Sequence, residues 1–377
     1  MCITKKMINF AEKYATMDKE VLKQSLEAVL RDHRETGLTE QVDYKKFYLY
    51  SIITHSAAIE GSTLTEGETA LLFDDGIVPG GHTKHEIFMN EDLKNAYELS
   101  YSLAHAHVPY SLKMLQKLSA AVMKNTGVLR NTMNGSYDQS LGDYRLENVH
   151  PSGNSRSYVN FDKVIPMTTD FCTSVNQHRE SLRGHMPASV SDIYELSFQA
   201  HYDLVTIHPW SDGNGRMSRL VMNQLQEEYG VLPMKVTKEN KEQYIEALKL
   251  SREEGASRRF IDFMFSEHLS NIRQELFGFW RDHNPAYSDE LRETVSHAVE
   301  YGKTGNGYLW LRDSFNELCE DTLPADMNDN PAIYRQMMAG NIMNRCVPKL
   351  GKELSSSFKE ELFSLVQQGN ISHGLNV

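Results

Sequence analysis

The stretch His208-Pro-Trp-Ser-Asp-Gly-Asn-Gly-Arg-Met-Ser-Arg219 gathers side chains that can do chemistry together. Asp-Gly-Asn-Gly is strong turn chemistry and by itself would close a hairpin. Hairpins need alternating strands on both sides, whereas Met217, Leu220, Val221 and Leu225 recur at helical spacing. The glycines therefore sit in a loop that feeds a helix N-terminus. Free backbone N–H groups and the positive end of the helix dipole meet there, an arrangement that suits an anion and phosphate above all. Arg216 and Arg219 are i,i+3 neighbours at that same end. Like charges so placed repel each other and oppose the dipole, so the pattern asks for a carboxylate or a phosphate. Asn214 offers a donor to a phosphate oxygen, and Asp212 is a ligand for a hard cation such as Mg²⁺. His208 stands at the loop entrance, where an imidazole titrating near neutrality can serve as a general base.

A second feature, Ser56-Ala-Ala-Ile-Glu60-Gly61, ends a helix at a glycine. Glu60 in the last turn opposes the dipole and would gain from a cation, which the arginine pair can supply. The third is the β-prone piece His150–Val159, with Ser157 and Tyr158 near its end. Its residue types are those of a small surface hairpin.

The elements that must hold these groups are almost all helical. Apolar spacing predicts helices over about 19–34, 44–60, 91–107, 111–124, 166–182, 191–204, 216–229, 238–252 and 259–275. Thr65-Glu-Gly-Glu68 reads as a capping box that opens another short helix. Gly127, Gly135, Gly142, Pro151 and Gly153 punctuate residues 125–160, which read as a loop with a small hairpin. The domain cuts that follow are an N-terminal helical extension over 1–43, a central domain over 44–284 that includes the helix 44–61, and a helical extension over 285–377.

Composition narrows the function classes. The chain has 377 residues, with 39 Lys+Arg against 51 Asp+Glu and a formal net charge of -12. That field repels a polyanion, so nucleic acid is disfavoured as a partner. Residues 286–377 carry 8 Lys+Arg and 13 Asp+Glu, without a basic recognition helix. Cys2, Cys172, Cys319 and Cys346 form no CxxC pair, which fits neither a disulfide framework nor a zinc ribbon and points to reduced thiols. No signal-like N-terminus and no run of about 18 apolar residues is present, so the expectation is a cytoplasmic protein that does not span a membrane. Gly302-Lys-Thr304 resembles the end of a phosphate-binding P-loop, but His297 stands where the first glycine must be.

The motif resembles the signature of the Fic (Fido) family, H-P-F-x-[D/E]-G-N-G-R-x-x-R, with Trp210 as the one departure among the fixed letters. The resemblance runs to about residue 275 and more weakly upstream from about 44. It implies a mainly α Fic-fold helical core with a small β-hairpin flap and helical N- and C-terminal extensions. It implies transfer of AMP from ATP to a Ser, Thr or Tyr hydroxyl of a protein, with Mg²⁺ or Mn²⁺. Carried over, His208 would deprotonate the hydroxyl and Asp212 would bind the metal. Gly213, Asn214 and Gly215 would cradle the phosphates through backbone and amide donors, while Arg216 and Arg219 would meet the β- and γ-phosphates. Tyr244 would stack near adenine by position, or equally serve as a core aromatic. In the family, [S/T]-x-x-x-E-[G/N] marks an inhibitory helix, so Ser56, Glu60 and Gly61 would set Glu60 against Arg219. Residues His150, Ser157, Tyr158 and Val159 would lie on a flap that docks the target by strand pairing. Self-modification and self-association stay open as partners. Two alternatives also stand: removal of AMP by the same site, and a non-catalytic module that binds a nucleotide or a phosphopeptide.

Overall fold

The computed structural model describes residues 19–41, 43–150, 157–184 and 188–283. They form ten α-helices and one antiparallel hairpin: α1 Lys19–Glu35, α2 Tyr44–Ile59, α3 Glu66–Asp75, α4 Lys84–His105, α5 Leu112–Val122, β1 Leu129–Thr132, β2 Gly135–Asp138, α6 Val164–Gly184, α7 Val190–Ile207, α8 Asn214–Glu228, α9 Lys241–Glu254 and α10 Arg258–His283. The chain divides into two compact units, residues 1–27 with 37–268 and residues 28–36 with 269–377. The site lies wholly in the first. Predicted extension 285–377 and the thiols of Cys2, Cys319 and Cys346 fall outside the described residues.

The first unit is built around α8, which packs against α7 and α4. Leu220, Val221 and Leu225 are fully buried there with Ile53, Leu93, Leu115, Leu118 and Leu204. Burying a side chain of this kind contributes about 1.5–3 kcal/mol. Its other faces are buried too, including Asn223, Gln224 and Gln226. Buried amides must find partners. Tyr97 Oη donates to Asn223 Oδ1 (2.7 Å), Tyr110 Oη to Gln224 Oε1 (3.0 Å), and Gln226 Nε2 to Ser197 Oγ (2.9 Å). A helix fixed on every side gives the loop at its N-terminus a rigid base.

Several boundaries follow from caps. Thr65 and Glu68 make the expected capping box at α3. A second box, Thr83 with Glu86, opens α4 at Lys84, a full two turns before the apolar pattern becomes readable. Its first three residues, Lys84, His85 and Glu86, are polar, while Ile87 and Met89 are buried. The hairpin pairs Leu129 with Asp138 and Thr132 with Gly135. It falls within residues 125–160, where a small hairpin is expected, but upstream of the β-prone piece His150–Val159. Residues 157–160 are not in a strand, and 151–156 are outside the described residues. The turn chemistry of Asn134-Gly135 decided the location, because Gly135 can take the positive φ of 122° that the tight turn demands.

Cys172 is buried, and burial pushes its thiol up to about 12, which keeps it a protonated core residue. On the surface, His105 meets Glu227 and His107 meets Glu228. No helix among the described residues is long and apolar enough to cross a membrane.

Candidate active site

The loop between α7 and α8 carries the motif. Helix α7 runs on to Ile207, three residues past the sequence estimate, and ends on His208 in a left-handed conformation (φ 55°, ψ 61°). Trp210 is 2% exposed. Its ring stacks on Tyr144 at 5.7 Å, and its Nε1 donates to the Gly142 carbonyl (3.0 Å). The aromatic that departs from the usual motif thus anchors the loop in the core. Asn214 closes the loop from inside: its Nδ2 donates to the Trp210 carbonyl (2.8 Å) and its Oδ1 accepts from the Trp210 N–H (3.1 Å). The side-chain amide expected to meet a phosphate is therefore committed to the loop backbone, the nearest partners a buried amide can take.

Gly213 caps α8 at φ 78° with no side-chain bond to the helix's free N–H groups. A left-handed cap of this kind favours glycine. Arg216 and Arg219 follow, each 2% exposed. Arg216 reaches only the Val122 carbonyl (3.4 Å), the Met123 sulfur (3.1 Å) and, at 3.8 Å, the exposed Asp212. Its Nε is buried with no hydrogen-bond partner. Burial opposes its charge, and Asp212 and Glu60 oppose that effect only partly, so its pKa falls below the ordinary value. A buried guanidinium with an unsatisfied donor beside a helix N-terminus suits an anion.

Arg219 does have one. Its Nη2 donates to Glu60 Oε1 (2.6 Å) and to the Ser56 carbonyl (3.0 Å), and its Nε donates to Ser56 Oγ (2.8 Å). Burial alone would weaken the charge of Arg219, but Glu60 outweighs it and raises its pKa. Glu60 is likewise held below the usual carboxylate range: burial pushes it up, and Arg219, with Arg216 and Lys241, more than offsets that. Gly61, at φ 109°, turns the chain away just after Glu60. Gly215 is what lets the carboxylate in. A Cβ there would stand 2.4 Å from Glu60 Oε1 and 3.2 Å from Arg219 Nη1.

His208 is partly buried. Burial, with Arg145 and Arg252 nearby, pushes its imidazole down to about 4. The neutral ring then populates nearly the whole range above pH 5, and its Nδ1 lies 3.3 Å from the Val205 carbonyl. That bond assigns the proton to Nδ1 and the lone pair to Nε2. An NMR titration of the nucleotide-free protein should give His208 a midpoint near 4; a midpoint above 6 would contradict this placement. Because the folded pKa is depressed, His208 contributes stability above about pH 6.5 and loses it as pH falls toward 4.

Tyr244 corrects an expectation. It is 1% exposed and packs on Phe260, Phe263 and His201, so no face is open to adenine. Its hydroxyl bonds His201 Nε2 (2.8 Å) and takes a long contact from Arg219 Nη1 (3.5 Å). On the other side of the loop, His150 Nδ1 meets Ser157 Oγ (2.9 Å), Tyr158 lies on His208, and the Val159 carbonyl accepts from Arg145. Sequence reasoning missed Arg145, Arg252 and His201. The first two border the base.

Residues 109–226 match the Fic/DOC family. The chain carries a Fic domain. It is 27% identical over 222 residues to the protein adenylyltransferase Fic of Drosophila willistoni, a match covering 58% of this chain and 40% of that protein. The Drosophila melanogaster protein of the same name is 26% identical over 247 residues, covering 65% and 45%. The chain thus spans less than half the length of these curated relatives. Among solved structures, Caenorhabditis elegans Fic-1 (residues 134–508) superposes with a TM-score of 0.54 at 21% identity, over 69% of this chain and 72% of that one. A Fic domain-containing signaling protein from Bacteroides thetaiotaomicron gives 0.53 at 20%, over 68% and 94%. These likenesses establish the Fic fold, mainly helical with one small hairpin.

Proposed function

We propose that this Fic protein transfers AMP from ATP to a hydroxyl side chain of a protein, and that Glu60 inhibits the reaction at rest. The observation that carries the reading is the buried, incompletely satisfied Arg216 beside the uncapped start of α8. Such a cradle fits the phosphates of a nucleotide. His208 Nε2 takes the proton of the acceptor hydroxyl. The freed oxygen bonds to the α-phosphorus, and the bond from that phosphorus to the bridging oxygen breaks, so pyrophosphate leaves. Backbone N–H groups of Asn214 and Gly215, with Arg216 and Arg219, neutralise the charge that builds on the phosphates.

A divalent metal fits a shared role only. Among the described residues no group of three His, Cys, Asp or Glu side chains could hold one. The Asp212 carboxylate is 61% exposed. One oxygen accepts from the Gly213 N–H (2.6 Å), and one carboxylate plus substrate phosphates is how Mg²⁺ is usually held. Asp212 would hold the ion, which when bound supplies charge neutralisation at the phosphates. Glu60 meanwhile occupies the arginine that the terminal phosphate needs.

The test is label transfer by the Glu60→Gly chain, with Mg²⁺ and a cell lysate as target source. Label from α-labelled ATP is expected on protein, and none from γ-labelled ATP. Label from γ-labelled ATP alone would mean phosphoryl transfer and reject the reading.

A further inference from the structure

His208 is gripped from a side that the motif does not include. Arg145 is 1% exposed, and its guanidinium donates to three backbone carbonyls: Nε to His208 (2.8 Å), Nη1 to Glu147 (2.7 Å) and Nη2 to Val159 (2.6 Å). Its own N–H donates to the Pro209 carbonyl (3.1 Å). One side chain thus ties the backbone of the base to the backbone one residue after Tyr158. Tyr158 lies flat on the imidazole, with ring centroids 3.7 Å apart and planes 15° apart. The Arg252 guanidinium sits 4.3 Å from the Tyr158 centroid. With one face of the phenol taken by the imidazole, the cation covers the other.

We propose that Arg145, Tyr158 and Arg252 clamp the base: Arg145 fixes where Tyr158 sits, Tyr158 fixes the plane of the His208 ring, and Arg252 holds Tyr158 by a cation–π contact. The proposal rests on the reading of His208 as general base. Its physical content is directional. The Nδ1 bond to Val205 stops the ring from flipping but, at 3.3 Å, leaves it free to tilt. A parallel ring on one face removes that tilt. The Nε2 lone pair lies in the ring plane, so a stacked phenol leaves it open to an incoming hydroxyl. Tyr158 is therefore a positioning residue and not a plug.

The clamp also accounts for Arg145. A fully buried arginine that ends on carbonyls is costly to keep unless those carbonyls need holding. Here they belong to the base and to the segment that carries its stacking partner. Burial lowers the Arg145 pKa, and Tyr137 and Glu147 support its charge.

The test uses the full chain with Glu60→Gly as background, and adds Tyr158→Ala, Tyr158→Leu or Tyr158→Phe. A base displaced by about 1 Å can lose up to a hundredfold in rate, so Ala and Leu should lower kcat of AMP transfer at least tenfold. The KM for ATP should stay within about twofold. Phe, which keeps the ring and the cation–π contact, should restore kcat. A raised KM for target protein at unchanged kcat would assign Tyr158 to docking and overturn the clamp. A second readout needs no activity: the His208 ring protons should lose their upfield ring-current shift in Tyr158→Ala and keep it in Tyr158→Phe. Unmoved resonances would overturn the stack. Resonances that move while Glu60→Gly transfers no label would uphold the stack and count against the AMP-transfer reading alone.

Discussion

Replacing Glu60 with glycine is expected to raise AMP transfer about ten- to a hundredfold, and to lower the melting temperature of the nucleotide-free protein. Both effects come from one contact. Arg219 is buried and bonds Glu60 at 2.6 Å, while the Glu60 side chain is 34% exposed. Solvent screening places the pair toward the low end for charged contacts, about 1.5–3 kcal/mol. Since 1.4 kcal/mol is a factor of ten, release of Arg219 to a terminal phosphate is worth about ten- to a hundredfold. Without ATP the variant keeps a buried cation with only Ser56 and Tyr244 for company, so it unfolds more easily. ATP with Mg²⁺ should raise its melting temperature more than that of the wild type, because the phosphate replaces the lost carboxylate. Glycine suits the position itself, since Glu60 is the C-cap of α2 and not a helix-interior residue. Acid is a poor substitute for the mutation. The Glu60 pKa is depressed in the fold, so the pair is intact above the ordinary carboxylate value of 4.5 and opens only as pH drops below it. Equal transfer by wild type and variant would remove Glu60 from regulation.

How far a sequence discloses such a site depends on what kind of partner each residue has. Glu60 and Arg219 lie 159 positions apart and still announce each other, because each is uncomfortable alone at its helix end. Capping is equally legible at Thr65 and Glu68, where the signal spans four residues. The same four-residue signal stands at Thr83 and Glu86, ahead of Ile87 and Met89, which α4 buries. Contacts to backbone leave no trace of this sort. Asn214 pairs with the main chain of Trp210, and Arg145 pairs with three carbonyls, so nothing in the identity of their partners marks either bond. Tyr244 illustrates the opposite case. Position alone offers this aromatic either to adenine or to the core, and Phe260 and His201 bury it. Charge complementarity and local caps are written in residue types. Burial and backbone geometry emerge only when the helices pack.

The largest loss is expected from His208→Ala in the Glu60→Gly background, about a hundred- to ten-thousandfold in AMP transfer, the range a positioned general base contributes. ATP binding should change little. The proposed phosphate cradle lies at the start of α8 with its two arginines, while the imidazole belongs to the end of α7. The substitution also decides between an enzyme and a binding module. A module needs the cradle but has no use for a neutral imidazole bonded through Nδ1 to Val205 and stacked on Tyr158. Alanine relieves the left-handed backbone of His208 no better than histidine does, so a fall in activity would not be a fall in strain. Label transfer from α-labelled ATP and ATP binding by calorimetry are measured on the same two chains. Transfer that survives the alanine would mean another group or water takes the proton. ATP bound equally by both chains, with label on neither, would leave a nucleotide-binding module in place of the transferase.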